Sequence, residues 1–542
     1  SGQPWKSRKK FQVIICVLLV ELCERFAFFG IVCNTILFCT VKLGYDNFLA
    51  ATVNLCFIGA STLTPVLVGW FAETCLGQTK VLYLCAALHF FTAMLPVVAF
   101  PFEDFYIDTH HMTHQLEPHE QQILFYVGLL AAALGIGGIR AILCPLGAYS
   151  LQGYNQHRLL SFFNFYWLVN LNSTVVFLGI AYIQQSVAKN LGFLIPFTSV
   201  LLALIAIHMM RNKLTYKPKK GSLLTTLGVF LNSFKMCCLH YRHLSGDVTS
   251  WLDRAKENNG GRYSETHVEN VKVLAKLFPL YGLQLLYRVC ITQIPSGYYI
   301  QTMNSNLHLN DLLLPIGAMN VISILPLLLL APLMECVTTC FLSVEKTPLA
   351  PAKVILGHVC ATLSVLVAGV SELQRKTYPL VEQTLSGRVL QVSAMPCFQL
   401  APQYILLGLA EALVTPASLI SFQLTPSHIR GISLHFLTLS YGGGCFLGAF
   451  IVQLAYFLSR NFYPSTLHDG NLERFFFLLA LLMAINSLLF WHVSHRYMDL
   501  SVQGKALTIS PLNEKLLHYK SRLRYYDTLD CSYTITSVDS DL

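Results

Sequence analysis

The chain has 542 residues, of which 54% are hydrophobic and only 12% are charged, and its mean hydropathy is +0.54. Soluble globular proteins carry roughly a quarter charged residues, so the composition excludes a water-soluble globular protein and indicates a polytopic membrane protein. The lysines and arginines behind the net charge of +9 gather in particular loops. Because such clustering sets the topology of membrane proteins, we expect no nucleic-acid partner.

Twelve apolar stretches follow one another along the chain, each long enough for a span of roughly 20 residues. They are 11–38, 48–75, 79–100, 122–148, 160–184, 190–210, 271–302, 312–342, 350–372, 398–424, 430–458 and 471–494. We therefore expect an all-α protein with twelve transmembrane helices. The first stretch lacks a small-residue cleavage site, which predicts a span rather than a removable signal.

The loops between these stretches differ in charge. The N-terminus and the loop after residue 210 are rich in lysine and arginine, whereas loop 101–121 carries five carboxylates and neither of those cations. Because positive loops stay in the cytoplasm, both termini are predicted to be cytoplasmic. The predicted order is a six-helix bundle (1–210), a cytoplasmic loop (211–270), a second six-helix bundle (271–494) and a disordered cytoplasmic tail (495–542). Two such bundles are typical of the major facilitator fold, in which substrate binds near the midplane.

Three charges lie close together in the first apolar stretch. Glu21, Glu24 and Arg25 have the spacing i, i+3 and i+4, which places them on one face of a helix. One arginine can hold only one of two carboxylates firmly ionised, so the other can bind a proton reversibly. This pattern predicts a proton-coupling element, and the alternative is an ion pair that only fixes helix packing.

Two further ionisable residues lie in apolar stretches. Arg140 ends the glycine-rich segment that begins at Gly135; its guanidinium suits a substrate carboxylate, and the alternative is snorkelling to the interface. Glu411, in the tenth stretch, suits a substrate ammonium group, and the alternative is a structural partner in the seventh stretch. With Arg25 and Arg140 in one half and Glu411 in the other, the layout fits a zwitterion such as an amino acid or short peptide.

Several motifs resemble those of the proton-coupled oligopeptide transporters, solute carrier family 15. Glu21-x-x-Glu24-Arg25-Phe26 resembles the family's ExxERF motif and Gly137-Gly-Ile-Arg140 its GGIK segment. The other matching motifs follow in the family's order: Phe162-Phe-Asn-Phe-Tyr-Trp167 with Asn170, Trp251-Leu-Asp-Arg-Ala255, Gln293, Gln301, Pro402-Gln-Tyr404 and Glu411. The resemblance covers nearly the whole chain and is strongest toward the peptide/histidine transporters.

The resemblance implies a major facilitator fold with alternating access, driven by protons and needing no other cofactor. It also implies a set of functional residues. These are Glu21, Glu24 and Arg25 for proton coupling, and Arg25, Phe28, Phe29, Arg140, Ser323 and Glu411 for substrate binding. Within that set, Arg25 takes the peptide carboxylate, Glu411 the amino terminus, and Ser323 the place of an Asn or Asp in relatives.

Two departures from the family pattern bear on activity. Arg140 replaces a lysine, and an arginine keeps its proton where a buried lysine can lose it. Phe28 and Phe29 replace a tyrosine pair, which removes two hydroxyl groups. The leading prediction is a proton-coupled symporter of short peptides or histidine-like zwitterions. The alternative is a weakly transporting or non-transporting ligand sensor or signalling scaffold.

The remaining sequence features indicate binding partners but no catalytic or metal-binding activity. The chain lacks a CxxC pair, a nucleotide-binding loop, and haem or Ser-His-Asp motifs. The histidines of loop 101–121 match no strong metal template, so no metal site is predicted. Because the catalytic motifs named above are missing, no enzyme is predicted either. The lipid bilayer is an expected partner, at the plasma or an endolysosomal membrane. In the tail, Tyr526-Asp-Thr-Leu529 resembles a sorting signal and Ser540-Asp-Leu542 a PDZ ligand.

Overall fold

The computed structural model describes most of the chain between residues 3 and 495. The described ranges are 3–99, 117–151, 170–175, 177–179, 182–183, 192–210, 222–238, 250–342, 349–423 and 430–495. Several predicted features lie outside them, namely the tail beyond residue 495 with its two motifs, the segment Phe162–Trp167, and His110, His111 and His114.

Helices make up most of the described residues. In chain order they are α1 Gln3–Leu37, α2 Asn47–Phe71, α3 Gln78–Thr92, α4 Met94–Ala99, α5 Pro118–Leu151, α6 Leu194–Met210, α7 Ser222–Cys238, α8 Glu265–Ile291, α9 Tyr299–Met303, α10 Ala318–Leu342, α11 Leu349–Thr377, α12 Ala401–Gln423, α13 Arg430–Leu458 and α14 Leu472–His495. Shorter helical turns occur at Phe38–Lys42, Ala72–Leu76, Trp251–Ala255, Glu257–Asn259, Ile294–Tyr298 and Cys397–Leu400. The strands are β1 His308–Leu309, β2 Leu312–Leu313, β3 Leu380–Leu385 and β4 Arg388–Ser393.

The apolar helices agree with the predicted spans. Among the described residues, nine helices are long and apolar enough to cross a membrane, and α6 and Ile316–Leu330 are shorter apolar helices. Together they coincide with every predicted stretch except 160–184, where residues 170–175 are helical and much of the rest lies outside the described ranges. The prediction of an all-α polytopic membrane protein is therefore confirmed.

A small hairpin between α11 and α12 was not predicted. Strand β3 pairs antiparallel with β4, and only Ser386 and Gly387 separate the paired residues Leu385 and Arg388. Both turn residues have positive φ, 48° and 82° respectively. Such a turn matches the right-handed twist of the strands on either side of it, which explains why so short a connection closes the hairpin.

The hairpin is joined to α11 next to a buried ion pair. Arg375 Nη2 lies 2.7 Å from Glu372 Oε1, and both side chains are almost fully buried. Gln301 donates to Glu372 (2.9 Å), and Gln403 donates to Gln301 (2.8 Å). The hydroxyl of Ser393 in β4 donates to the Arg375 carbonyl (2.7 Å). Because burial makes unpaired charges costly, this network holds α9, α11, α12 and β4 in one arrangement.

The two halves of the chain meet through helix packing and hydrogen bonds. Helix α2 packs along α13. The Asn54 amide donates to the Pro295 carbonyl (2.7 Å), and the Gln453 amide donates to the Thr52 hydroxyl (2.8 Å). Among the described residues, every ion pair stays on one side, since none joins 1–210 to 271–494. A charged donor also crosses, since Arg388 Nη1 of β4 donates to the Thr40 and Val41 carbonyls (3.3 and 3.4 Å). Among the described residues, the halves are therefore joined by packing and hydrogen bonds rather than by ion pairs.

The segment before α8 folds around one carboxylate. Asp253 caps its own helical turn by accepting a hydrogen bond from the Ser250 backbone (3.0 Å). Its Oδ1 lies 2.5 Å from Lys272 Nζ and 3.0 Å from Lys256 Nζ. Burial by itself raises the pKa of Asp253, but the hydrogen bonds from the two lysines outweigh it and lower the pKa from 3.8 to about 2. The ionised form is therefore favoured at every pH near neutrality.

We expect Asp253→Asn to loosen this segment. Lys256 and Lys272 each lose one of their carboxylate partners and keep Glu269. This loss costs about 1.5 kcal/mol and speeds amide hydrogen exchange at 250–260 about tenfold. Because the folded pKa lies below the unfolded one, the stabilisation is complete above about pH 4 and is lost as the pH falls through about 2.

Hydrogen-exchange mass spectrometry at pH 5 and pH 8 measures this effect. Both pH values lie above the range in which Asp253 takes up a proton. Hydrogen exchange in the Asp253→Asn protein should therefore be accelerated by the same factor at pH 5 and at pH 8. Asp469→Asn, at an exposed position, is the matched control. An effect that disappears at one of the two pH values would contradict the assignment.

Candidate substrate and proton site

Helix α1 carries the first charged cluster. Arg25 Nε lies 3.4 Å from Glu21 Oε1 and 3.6 Å from Glu24 Oε2. The Glu24 side chain has no exposed area, whereas Glu21 keeps 16% and Arg25 keeps 25%. The structure thus brings the three predicted residues together, with one carboxylate fully buried and the other partly exposed.

Arg140 joins this cluster from α5. Its Nε donates to Glu24 Oε1 over 2.6 Å, so Glu24 lies between two guanidinium groups. Glycines let α5 pack closely against α2 and α3: a Cβ at Gly137 would overlap Thr64 of α2, and one at Gly138 would overlap Cys85 of α3. Close helix packing therefore places Arg140 against Glu24.

Phe28 and Phe29 of α1 contact the two arginines. The guanidinium carbon of Arg140 lies 5.0 Å from the centre of the Phe28 ring, and that of Arg25 lies 5.7 Å from the Phe29 ring. Phe28 is buried and stacks on Phe57 of α2. An aromatic face attracts a cation, so these rings orient the guanidinium groups, and their contact with substrate stays a prediction.

Glu411 of α12 is the centre of a second cluster. Arg288 Nη1 of α8 lies 3.1 Å from Oε1 and 3.3 Å from Oε2. The Tyr287 hydroxyl donates to Oε2 (3.1 Å), and the Thr415 hydroxyl donates to Oε1 (2.8 Å). Glu411 is therefore paired with Arg288, a residue of the seventh predicted stretch. That this partner is purely structural, the alternative for Glu411, stays a prediction.

Arg288, Tyr287 and Thr415 were not predicted as site residues. Arg288 was detectable, because it is an ionisable residue within the apolar stretch 271–302 and the rule that selected Glu411 applies equally to it. Its guanidinium lies 4.0 Å from the centre of the Tyr441 ring of α13. The hydroxyl groups carry no such signal, since threonine and tyrosine are common in apolar helices.

Ser323 lies at a contact between helices. It is buried in α10, and its hydroxyl donates to the Asn320 carbonyl one turn earlier (2.7 Å). Its backbone meets Gly408 of α12, where a Cβ would overlap the Ser323 carbonyl. Gly408 precedes Glu411 by one helical turn, so Ser323 supports the helix that presents Glu411. Its contact with substrate remains a prediction.

The two clusters balance their own charges. Arg25 and Arg140 offset Glu21 and Glu24 in the first half, and Arg288 offsets Glu411 in the second. Charged groups this deep in apolar helices occur mainly where they face a water-filled cavity or the protein interior. Chemically, each cluster can exchange an internal partner for a charged group of a ligand or for a proton. The described residues contain no group of ligands that could hold a metal.

Comparisons with known proteins agree with this architecture. A family model described as PTR2, POT family, matches residues 102–464. The human protein named solute carrier family 15 member 5 is 55% identical over 530 residues, covering 96% of this chain and 92% of the human protein.

Two solved structures share the fold. The in meso crystal structure of the POT family transporter PepTSo aligns with a TM-score of 0.64 at 19% identity, over 90% of this chain and 98% of that one. A POT family transporter in complex with 5-aminolevulinic acid aligns with a TM-score of 0.63 at 15% identity, over 89% and 96%. These folds are those of transporters rather than enzymes. The chain is an integral multi-pass membrane protein with the major facilitator fold, and it belongs to the POT family.

Proposed function

We propose that this chain is a proton-coupled symporter of short peptides or histidine-like zwitterionic amino acids, working by alternating access. The observation that carries the proposal is the Glu24 carboxylate, fully buried between Arg140 and Arg25. A buried carboxylate stays ionised only while it is paired. A proton on Glu24 would therefore free guanidinium groups to bind the carboxylate of a substrate.

Glu21, the second carboxylate of the cluster, provides a path by which a proton from water reaches the cluster. Glu21 is partly exposed and shares Arg25 with the buried Glu24. A proton taken from water by either carboxylate weakens its hold on Arg25, since a neutral carboxyl group attracts a cation less. Proton uptake and the availability of Arg25 are thereby linked.

The substrate then spans the two halves. Its carboxylate binds Arg25 and Arg140, and its amino group binds Glu411, which brings the two bundles together around the midplane. The POT family transporter solved with 5-aminolevulinic acid supports this class, because that ligand carries one amino and one carboxyl group.

A ligand sensor or signalling scaffold is the second candidate. The short contact between Arg140 and Glu24, 2.6 Å, favours it, because a guanidinium does not release its proton. If that pair never opens, Glu24 stays ionised, and ligand binding is no longer linked to proton movement.

Glu411→Gln tests the leading proposal. The change keeps the shape of the side chain but removes the charge that binds the amino group, so uptake of a labelled dipeptide should fall at least about tenfold. The measurement is uptake into proteoliposomes driven by an inward proton gradient.

Glu120→Gln is the matched control, because Glu120 is exposed, and it should leave uptake unchanged. Full uptake by the Glu411→Gln protein would exclude Glu411 from substrate binding. Expression and monodispersity of both variants separate loss of function from misfolding.

Arg140→Lys distinguishes symporter from sensor. A lysine keeps the positive charge but binds Glu24 through a single point and can lose its proton, so gradient-driven uptake should rise above that of the wild type. The readout is the ratio of uptake with and without the proton gradient. Peptide binding without gradient-driven uptake, in both wild type and Arg140→Lys, would favour the sensor.

A further inference from the structure

The Glu411 carboxylate has little capacity left for a substrate. A carboxylate offers about four lone-pair positions. Those of Glu411 meet Arg288 Nη1 at both oxygens, the Tyr287 hydroxyl and the Thr415 hydroxyl. A substrate ammonium group must therefore displace a donor, and Arg288 is the one whose charge it duplicates.

Arg288, by contrast, has unused donors. A guanidinium carries five N–H groups, and the described hydrogen bonds of Arg288 all run through Nη1. Its Nε is buried and meets no acceptor among the described residues. Buried polar atoms are rarely left so, and an unfilled donor beside a charged site suggests a group that the bound state supplies.

The side chain of Arg288 is also held in place. Its guanidinium lies over the Tyr441 ring, and a Cβ at Gly444 would overlap the Arg288 Cβ, so α13 closely packs against it. The side chain is only 17% exposed. Arg288 therefore cannot simply turn out to water when a ligand takes its carboxylate.

Releasing Arg288 from Glu411 without a replacement is unfavourable. One partner taken from a partly buried ion pair leaves the other charge uncompensated, which is strongly destabilising. A neutral zwitterion whose amino group binds Glu411 creates this situation. A ligand that brings its own carboxylate next to its amino group avoids it, since the ligand then supplies both missing partners.

We propose that Arg288 selects substrates with an acidic side chain on the residue that carries the free amino group. The ammonium binds Glu411, the side-chain carboxylate binds Arg288, and the four charges alternate around one site. This inference rests on the proposed function and names the substrate class for the same site. The α-carboxylate of the substrate still binds Arg25 and Arg140 in the other half.

Competition against labelled alanyl-alanine uptake in proteoliposomes tests the inference. The unlabelled competitors are glutamyl-alanine and its neutral isostere glutaminyl-alanine, together with alanyl-glutamate, which has the acid on the other residue, and its neutral isostere alanyl-glutamine. Glutamyl-alanine should inhibit at about tenfold lower concentration than glutaminyl-alanine, because it adds a charged hydrogen bond. Alanyl-glutamate should show no such advantage over alanyl-glutamine.

Variants of Arg288 test whether this residue causes the preference for glutamyl-alanine over glutaminyl-alanine. Arg288→Gln should reduce the ratio between glutamyl-alanine and glutaminyl-alanine to within about twofold, since the guanidinium is gone. Arg288→Lys, which keeps the charge, should retain part of the ratio. Arg262→Gln, at an exposed position outside the site, is the matched control and should keep the wild-type ratio. The competitor ratio in the wild-type protein is decisive even if Arg288→Gln fails to fold.

The outcomes separate the two proposals. Equal inhibition by glutamyl-alanine and glutaminyl-alanine, on top of Glu411-dependent alanyl-alanine uptake, overturns the inference and leaves the proposed function intact. A preference that survives Arg288→Gln also overturns it. Absence of Glu411-dependent uptake of every peptide overturns the proposed function and this inference with it.

Discussion

The pairing of the buried Glu24 carboxylate with two arginines is the interaction on which the first half of the protein depends. A charge in a low-dielectric interior is tolerable only with a partner at close range. Arg25 is available on the same helix, but Arg140 must come from α5, 116 positions away. The small residues Gly137 and Gly138 let α5 pack closely against α2 and α3, so the packing of several helices positions the partner of one carboxylate.

In the second half of the protein, too, each buried charge has a partner of opposite sign at close range. Arg288 and Glu411 neutralise each other across α8 and α12, and the Tyr441 ring covers the guanidinium. Each half therefore keeps its charges balanced internally, and a ligand or proton acts by taking the place of an existing partner. This arrangement makes the site selective, because a group that replaces one charge must also satisfy the charge it displaces.

Much of the fold was predictable because a bilayer accepts only spans whose backbone is hydrogen-bonded internally, which leaves long apolar stretches in the sequence. The spacing of Glu21, Glu24 and Arg25 likewise predicted one helix face. The link from Arg140 to Glu24 was not predictable, since distant pairings leave no local pattern. Arg288 was overlooked although the same burial argument applies to it. The β3–β4 hairpin was missed because its signal is a single Ser-Gly turn.

The neutral contacts between the halves have a consequence for how the protein responds to its surroundings. Hydrogen bonds such as those from Asn54 and Gln453 join the halves, while the ion pairs of the described residues stay within one side. Dissolved salt screens charges over a Debye length of about 8 Å at physiological concentration, but it hardly affects uncharged hydrogen bonds. Arg388, which donates to the Thr40 and Val41 carbonyls, is a charged group at this contact, but its acceptors are neutral. We therefore expect the energy needed to part the two halves to depend only weakly on ionic strength.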